Sequence, residues 1–170
     1  MKKMKEFRKI SVIGLGLIAS SICLTLRQKD PTIKLVGYDK DKVVRNRAKK
    51  IGLCKVESNL DNAVSGSQLI ILCVPVGQMQ AVTQRLKKII EPGTTITDVG
   101  SVKLSVIEEI ESNIESVGGK YVPSHPIAGT ERSGPDAGYA GLFEGRWCIL
   151  TPTKKTNKTA SVSYTHLTLP

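Results

Sequence analysis

Two groups of residues have types and spacings that suit chemistry. The first is Gly14-Leu15-Gly16-Leu17-Ile18-Ala19, which fits G-x-G-x-x-[GA] where an apolar run meets a helical pattern. The first glycine permits a tight turn. The second removes the side chain where backbone approaches a pyrophosphate, and a small third residue lets the helix pack on the strand. The helix N-terminus adds free N–H groups and partial positive charge, so Gly14, Leu15, Gly16, Leu17 and Ile18 are expected to cradle a dinucleotide. The motif is weak alone, since glycine pairs arise in any apolar turn. Asp39 strengthens it, lying about twenty residues on, at the end of the next apolar run, where a carboxylate binds the ribose hydroxyls of an adenosine. A 2′-phosphate would be repelled there, which favours NAD over NADP, although Lys40 and Arg45 stand close by. The competing reading of Asp39 is a helix-capping carboxylate. Cys73, Val74, Pro75 and Val76, ending another apolar run, are expected to give the cofactor backbone and apolar contacts.

The second group is His125 with Ser101. Of the two histidines, His125 and His166, the first follows a strand end, the side of a parallel sheet where ligands bind. Imidazole titrates near neutrality and so suits a group that must accept a proton. A lone histidine is commonly structural, but the flanking prolines, the Gly-rich loop beyond and the dinucleotide motif favour function. Ser101, in DVGSVK, is expected near His125 in space. No G-x-S-x-G elbow surrounds it, which disfavours nucleophilic serine chemistry.

The elements that must position these groups alternate between apolar runs and helical patterns, the sequence form of a parallel sheet covered by helices. Strands are expected at 9–13, 33–38, 68–74, 94–99, 121–123 and 146–151. Helices are expected at 17–27, from a cap at Asp41 to 51, at 77–90 and at 103–116, with Gly52 and Glu91-Pro92-Gly93 as stop signals. QLIILCV at 68–74 is apolar throughout, as a strand buried on both faces should be. Residues 127–144 form a Gly-rich loop long enough to be functional. The fold class is therefore α/β, a Rossmann-type doubly wound and mainly parallel sheet.

Composition narrows the function classes. The chain has 170 residues, 40% hydrophobic and 24% charged, which suits one soluble globular domain. Cys23, Cys54, Cys73 and Cys148 form no C-x-x-C pair and read as reduced core thiols in a reducing compartment, with neither a disulfide framework nor a metal site. The formal charge of +10 would attract polyanions, but the basic residues are dispersed and aromatics make up 4%. Nucleic acid is therefore not the expected partner. MKKMKEFRK before an apolar stretch imitates a secretory signal. Two glycines interrupt that stretch, however, and at about 17 residues it is short for a membrane span, so a cytoplasmic protein without a membrane partner is expected. The final VSYTHLTLP resembles translated sequencing adapter, which would leave His166 without meaning. Residues 1–152 are expected to form the dinucleotide-binding domain and 153–170 a truncated tail.

Together the segments GLGLIASS, GYDKD, LCVPVGQM, DVGSVK, HPIAGTERSG and GLFEGRWCILTP resemble prephenate dehydrogenase and its relative arogenate dehydrogenase, of tyrosine biosynthesis. HPIAGTE with DVGSVK upstream is the specific part; the rest would fit many NAD domains. The resemblance implies NAD-dependent oxidative decarboxylation of prephenate to 4-hydroxyphenylpyruvate, or of arogenate in the alternative. It implies that His125 accepts the hydrogen bond of the ring hydroxyl, that Ser101 positions His125 and substrate and borders the cofactor, and that Thr130 and Glu131 border the substrate pocket. Family members also carry an all-helical second domain that builds a homodimer and supplies basic side chains for the substrate carboxylates. That domain is absent here, so the chain alone is expected to be inactive. Two rivals stand beside this reading. One is a non-catalytic nucleotide-binding or basic interaction module. The other is a 3-hydroxyacid dehydrogenase, which leaves HPIAGTE unexplained.

Overall fold

The computed structural model describes residues 7–161. Six strands form one parallel sheet: β1 (Lys9–Ile13), β2 (Lys34–Tyr38), β3 (Lys55–Val56), β4 (Leu69–Leu72), β5 (Thr95–Asp98) and β6 (Lys120–Val122), in the order β3-β2-β1-β4-β5-β6. This is the doubly wound order, with its switch point between β1 and β4. Helices α1 (Leu17–Lys29), α2 (Lys42–Lys50), α3 (Leu60–Val64), α4 (Met79–Leu86) and α5 (Lys103–Glu115) connect the strands. The Rossmann-type reading of the sequence holds.

Period-two alternation decides which side chain enters which layer. In β1 and β4, Ile10, Val12, Leu69 and Ile71 join Ala19, Ile22, Cys23 and Leu26 of α1. Ile13, Ile70 and Leu72 face the other way, to Met79 and Leu86 of α4 and Val106, Ile110 and Ile114 of α5. A one-residue slip would exchange the two sets, so burial on both faces fixes register. Each buried Val, Leu, Ile or Met among them contributes about 1.5–3 kcal/mol.

Several elements differ from expectation. β3 and α3 are too short, at two and five residues, to leave a periodic signature. α3 forms because the Asn59 side chain accepts from Asn62 N at 2.8 Å. The helix expected at 77–90 is a 3-10 turn, Val76–Gln78, followed by α4, which stops at Leu86. The strand expected at 146–151 is β8 (Cys148–Leu150), and it lies outside the main sheet. It pairs antiparallel with an unanticipated strand, β7 (Ser124–Pro126), in the register Ser124↔Leu150, His125↔Ile149 and Pro126↔Cys148. Pro123 has no N–H with which to extend β6, and the chain turns into β7 there.

The loop after β7 folds back over α1. Tyr139 N donates to Ser21 Oγ at 3.1 Å and Thr25 Oγ1 donates to Ala140 O at 2.7 Å. Arg47 of α2 donates from Nε to both Asp136 oxygens, at 2.8 and 2.7 Å. Packing continues past residue 152: Ala160 is buried with Val122 beside Cys148 and Leu150. The adapter-like segment from 162 on, with His166, and the basic residues 1–6 lie outside the described residues.

Gly138 makes this fold-back possible. A Cβ there would stand 2.3 Å from Ser20 Cβ and 2.9 Å from the Ser20 carbonyl carbon and Ser21 N. Its φ of −71° suits any residue, so the constraint is steric alone. Gly138→Ala is expected to destabilise the domain by about 1–3 kcal/mol, measured as a lower urea midpoint with unchanged slope.

Candidate active site

The glycine turn sits at the switch point. Gly14 ends β1 with φ 88°, and a Cβ there would meet the Cys73 carbonyl carbon and oxygen at 2.8 Å. Position 14 therefore needs glycine twice over, for its conformation and for its close approach to the end of β4. Gly16 precedes α1 with nothing within 4 Å of a would-be Cβ, an open approach to the helix end. No side chain caps α1, and its first turn, with Leu17 and Ile18, holds no acidic residue. The orphan N–H groups and the positive end of the dipole are thus left for an anion, which is the fit a pyrophosphate requires.

Asp39, just past β2, is tied to this turn. Its Oδ2 accepts from Leu15 N at 2.8 Å and its Oδ1 from Asp41 N at 2.9 Å. The helix cap of α2 itself is Asp41, accepting from Val43 N at 2.7 Å. Asp39 is therefore not the helix-capping carboxylate of the competing reading: it holds the glycine turn and the amide of the residue that caps α2, and stays partly exposed. Arg45 donates to Asp39 O and Lys40 O at 2.6 and 2.9 Å and lies 5.8 Å from the Tyr38 ring centroid, so its charge is drawn toward backbone and ring. Across the crevice Val74 and Val76 are half-buried and Pro75 is exposed.

A buried carboxylate organises the other group. Asp98, at the end of β5, is fully buried. Its Oδ2 accepts from Gly100 N at 2.9 Å and from Lys103 Nζ, and its Oδ1 accepts from Tyr121 Oη at 2.7 Å and Ser124 N at 3.4 Å. Lys103 Nζ also donates to Ser124 O at 2.7 Å, and Ser124 Oγ donates to Asp98 O at 2.6 Å. Burial and then the Asp98 charge push the Tyr121 phenol well above its ordinary range, so it remains a donor. Ser101 and His125 each directly follow a residue whose amide this carboxylate holds. Both therefore emerge at the carboxyl end of the sheet, Ser101 exposed and His125 half-buried. No hydrogen bond joins them among the described residues.

On the β7–β8 ribbon Ser124 and Pro126 point inward while His125 faces outward with Ile149 opposite. Ile127, Trp147 and Ile149 continue that outward face, 42%, 80% and 51% exposed. Thr130 and Glu131 lie exposed on the loop beyond, and Thr130 Oγ1 accepts from Arg132 N at 3.2 Å. The structure thus gathers the glycine turn, Asp39 and residues 73–76 at one crevice and sets Ser101 and His125 on its next strand ends. No hydrogen bond or ion pair joins Thr130 or Glu131 to them among the described residues. A cavity of about 260 Å³ lined by Ser67, Gln68, Thr94, Thr95 and Lys120 lies at the strands' amino ends, the wrong end for a ligand in such a sheet. Among the described residues no cluster of His, Cys, Asp or Glu has the form of a metal site, and no helix is long and apolar enough to cross a membrane.

Residues 22–166 match the family model of the nucleotide-binding domain of prephenate dehydrogenase. The chain belongs to the prephenate dehydrogenase family. It is 41% identical over 154 residues to the cyclohexadienyl dehydrogenase of Zymomonas mobilis, across 90% of this chain and 52% of that protein. Among solved structures, prephenate dehydrogenase from Aquifex aeolicus in complex with hydroxyphenyl propionate and NAD+ superposes with a TM-score of 0.88 at 28% identity, covering 97% of this chain and 57% of that one. Synechocystis arogenate dehydrogenase gives 0.84 at 27%, covering 94% and 55%. The chain spans about half the length of the curated relatives it matches.

Sequence reasoning singled out Ser101 but passed over Asp98, Lys103, Tyr121 and Ser124. The available signal was a carboxylate ending an otherwise uncharged strand, TITD, with a lysine five residues on. If this network carries the site's shape, its members differ in cost. Asp98→Asn breaks a buried ion pair and is expected to cost about 3–5 kcal/mol. Tyr121→Phe removes one donor from a carboxylate that keeps three and is expected to cost about 1–3 kcal/mol. Urea unfolding of both variants checks the order.

Proposed function

We propose that this chain is the cofactor half of an enzyme that oxidatively decarboxylates prephenate, using NAD. Arogenate is the second reading, supported by the likeness to an arogenate dehydrogenase. The observation that carries the proposal is the pair of fixed carboxylates: Asp39 holding Leu15 N, and Asp98 holding the amides before Ser101 and His125. Between them they set a phosphate cradle and a proton acceptor on one crevice. The Aquifex relative's complex with NAD+ and hydroxyphenyl propionate supports the ligand classes. A cytoplasmic location and a dimer built through a helical second domain belong to the same reading.

The residues divide the work by position. Gly14 and Gly16 let backbone approach the pyrophosphate, Leu17 and Ile18 turn their N–H groups to it, Leu15 fixes the turn through its own N–H on Asp39, and Asp39 accepts from the adenosine ribose. Cys73, Val74, Pro75 and Val76 floor the cofactor site. When bound, NAD supplies the acceptor for the two electrons that leave the substrate ring. His125 takes the proton of the C4 hydroxyl, and Ser101 orients the hydroxyl and the imidazole. The carbonyl so formed receives the electrons released as CO₂ departs, and the ring becomes aromatic. Thr130 and Glu131 border the pocket. Held alignment of this kind is worth several kcal/mol of barrier.

Two measurements test this. In calorimetric titration the chain is expected to bind NAD, and Asp39→Ala to weaken binding by about tenfold, the loss of one charge-assisted contact; unchanged affinity would remove Asp39 from the site. In a full-length enzyme His125→Asn is expected to lower kcat by about 10²–10⁴ with NAD affinity unchanged. Wild-type turnover would remove His125 from the chemistry. The 170-residue chain itself is expected to bind NAD with little or no turnover of prephenate.

A further inference from the structure

Arg45 reaches across the end of β2. It belongs to α2, whose buried Ala48 joins the α1 layer of the core. Its guanidinium nevertheless lies over the strand end: Nη1 donates to Asp39 O at 2.6 Å and to Lys40 O at 2.9 Å, and Cζ stands 5.8 Å from the centroid of the Tyr38 ring. Tyr38 packs on the opposite layer, that of α4 and α5, as do Val74 and Val76. One side chain thus spans the two layers where the strand stops. Two backbone carbonyls hold its plane in a fixed orientation, and the residue stays half-buried. The first of those carbonyls belongs to Asp39, whose carboxylate holds Leu15 N.

We infer that Arg45 is a purine-binding residue: the adenine of the dinucleotide stacks on its guanidinium plane, bordered by Tyr38, Val74 and Val76. The inference rests on the dinucleotide reading given above and assigns its adenine end. Position argues first. A ribose bound on Asp39 has its base one glycosidic bond away, and Arg45 is the cation fastened to the backbone at that residue. Chemistry argues next. Guanidinium is planar and weakly hydrated and stacks on aromatic faces, which an ammonium group does far less well. Hydrogen bonds from Nη1 lie in the guanidinium plane, so the two carbonyls orient the group without using its faces. The ordering cost of a long side chain is met before the ligand arrives, which favours affinity. A 2′-phosphate at the same place would meet the Asp39 carboxylate, whereas an uncharged purine does not.

Nuclear magnetic resonance on the native chain tests this, with AMP and ribose 5-phosphate as probes and the Leu15 amide as a marker of occupancy. AMP is expected to move the Arg45 side-chain protons upfield through the ring current of a stacked base. Ribose 5-phosphate at equal concentration should leave them in place. In calorimetric titration Arg45→Ala and Arg45→Lys are each expected to weaken NAD about fivefold, because lysine keeps the charge and loses the plane. Arg45 signals that stay still while AMP moves the Leu15 amide would overturn the inference, as would wild-type NAD affinity in Arg45→Lys. A chain whose Leu15 amide answers neither AMP nor NAD would sink the dinucleotide reading itself, and this assignment with it.

Discussion

A charge buried at a strand end must be fully partnered, and the rest of the site follows from how Asp98 meets that requirement. An unpaired carboxylate in this interior would cost several kcal/mol. Its partners come from four places: the turn after β5, the start of α5, β6 and β7. Satisfying one side chain thus forces four segments to converge at the carboxyl edge of the sheet. Ser101 and His125 are carried there as neighbours of the residues that donate, without needing to bond to each other.

Asp39 plays the matching part on the other half of the sheet. Its grip on Leu15 N fixes the glycine turn from β2, and the closeness of Gly14 to Cys73 fixes it from β4. The open space above Gly16 and the uncapped end of α1 are then rigidly placed. The two carboxylates differ in exposure: Asp98 is sealed away as a structural hub, while Asp39 stays partly open to solvent.

Much of this was legible in the amino-acid sequence, for identifiable reasons. β1, β4, α1 and α5 bury enough of one face or two to leave a periodic pattern, and the phosphate-binding turn is a local device whose glycines need no tertiary partner to be recognised. β3, α3 and β7 are hidden by brevity, and β7 also by the prolines at 123 and 126, which read as breakers. The Asp98 network was invisible for a different reason. A carboxylate at a strand end looks like a solvated group until Tyr121 and Ser124 arrive from two other strands, and only tertiary structure brings them. Membership of the family was legible because HPIAGTE and DVGSVK are local strings, although the contacts that make them useful are not.

The fit of Gly14 against Cys73 also orders the molecule in time. The turn leaves the ribosome well before the strand end on which it closes, and parallel pairing of β1 with β4 waits for the whole of α1, β2, α2, β3 and α3 to be synthesised. Long-range parallel contacts of this kind form slowly. A nascent chain that ends before residue 73 therefore carries the complete glycine signature yet has no floor beneath it, and nucleotide capture becomes a late event in biosynthesis.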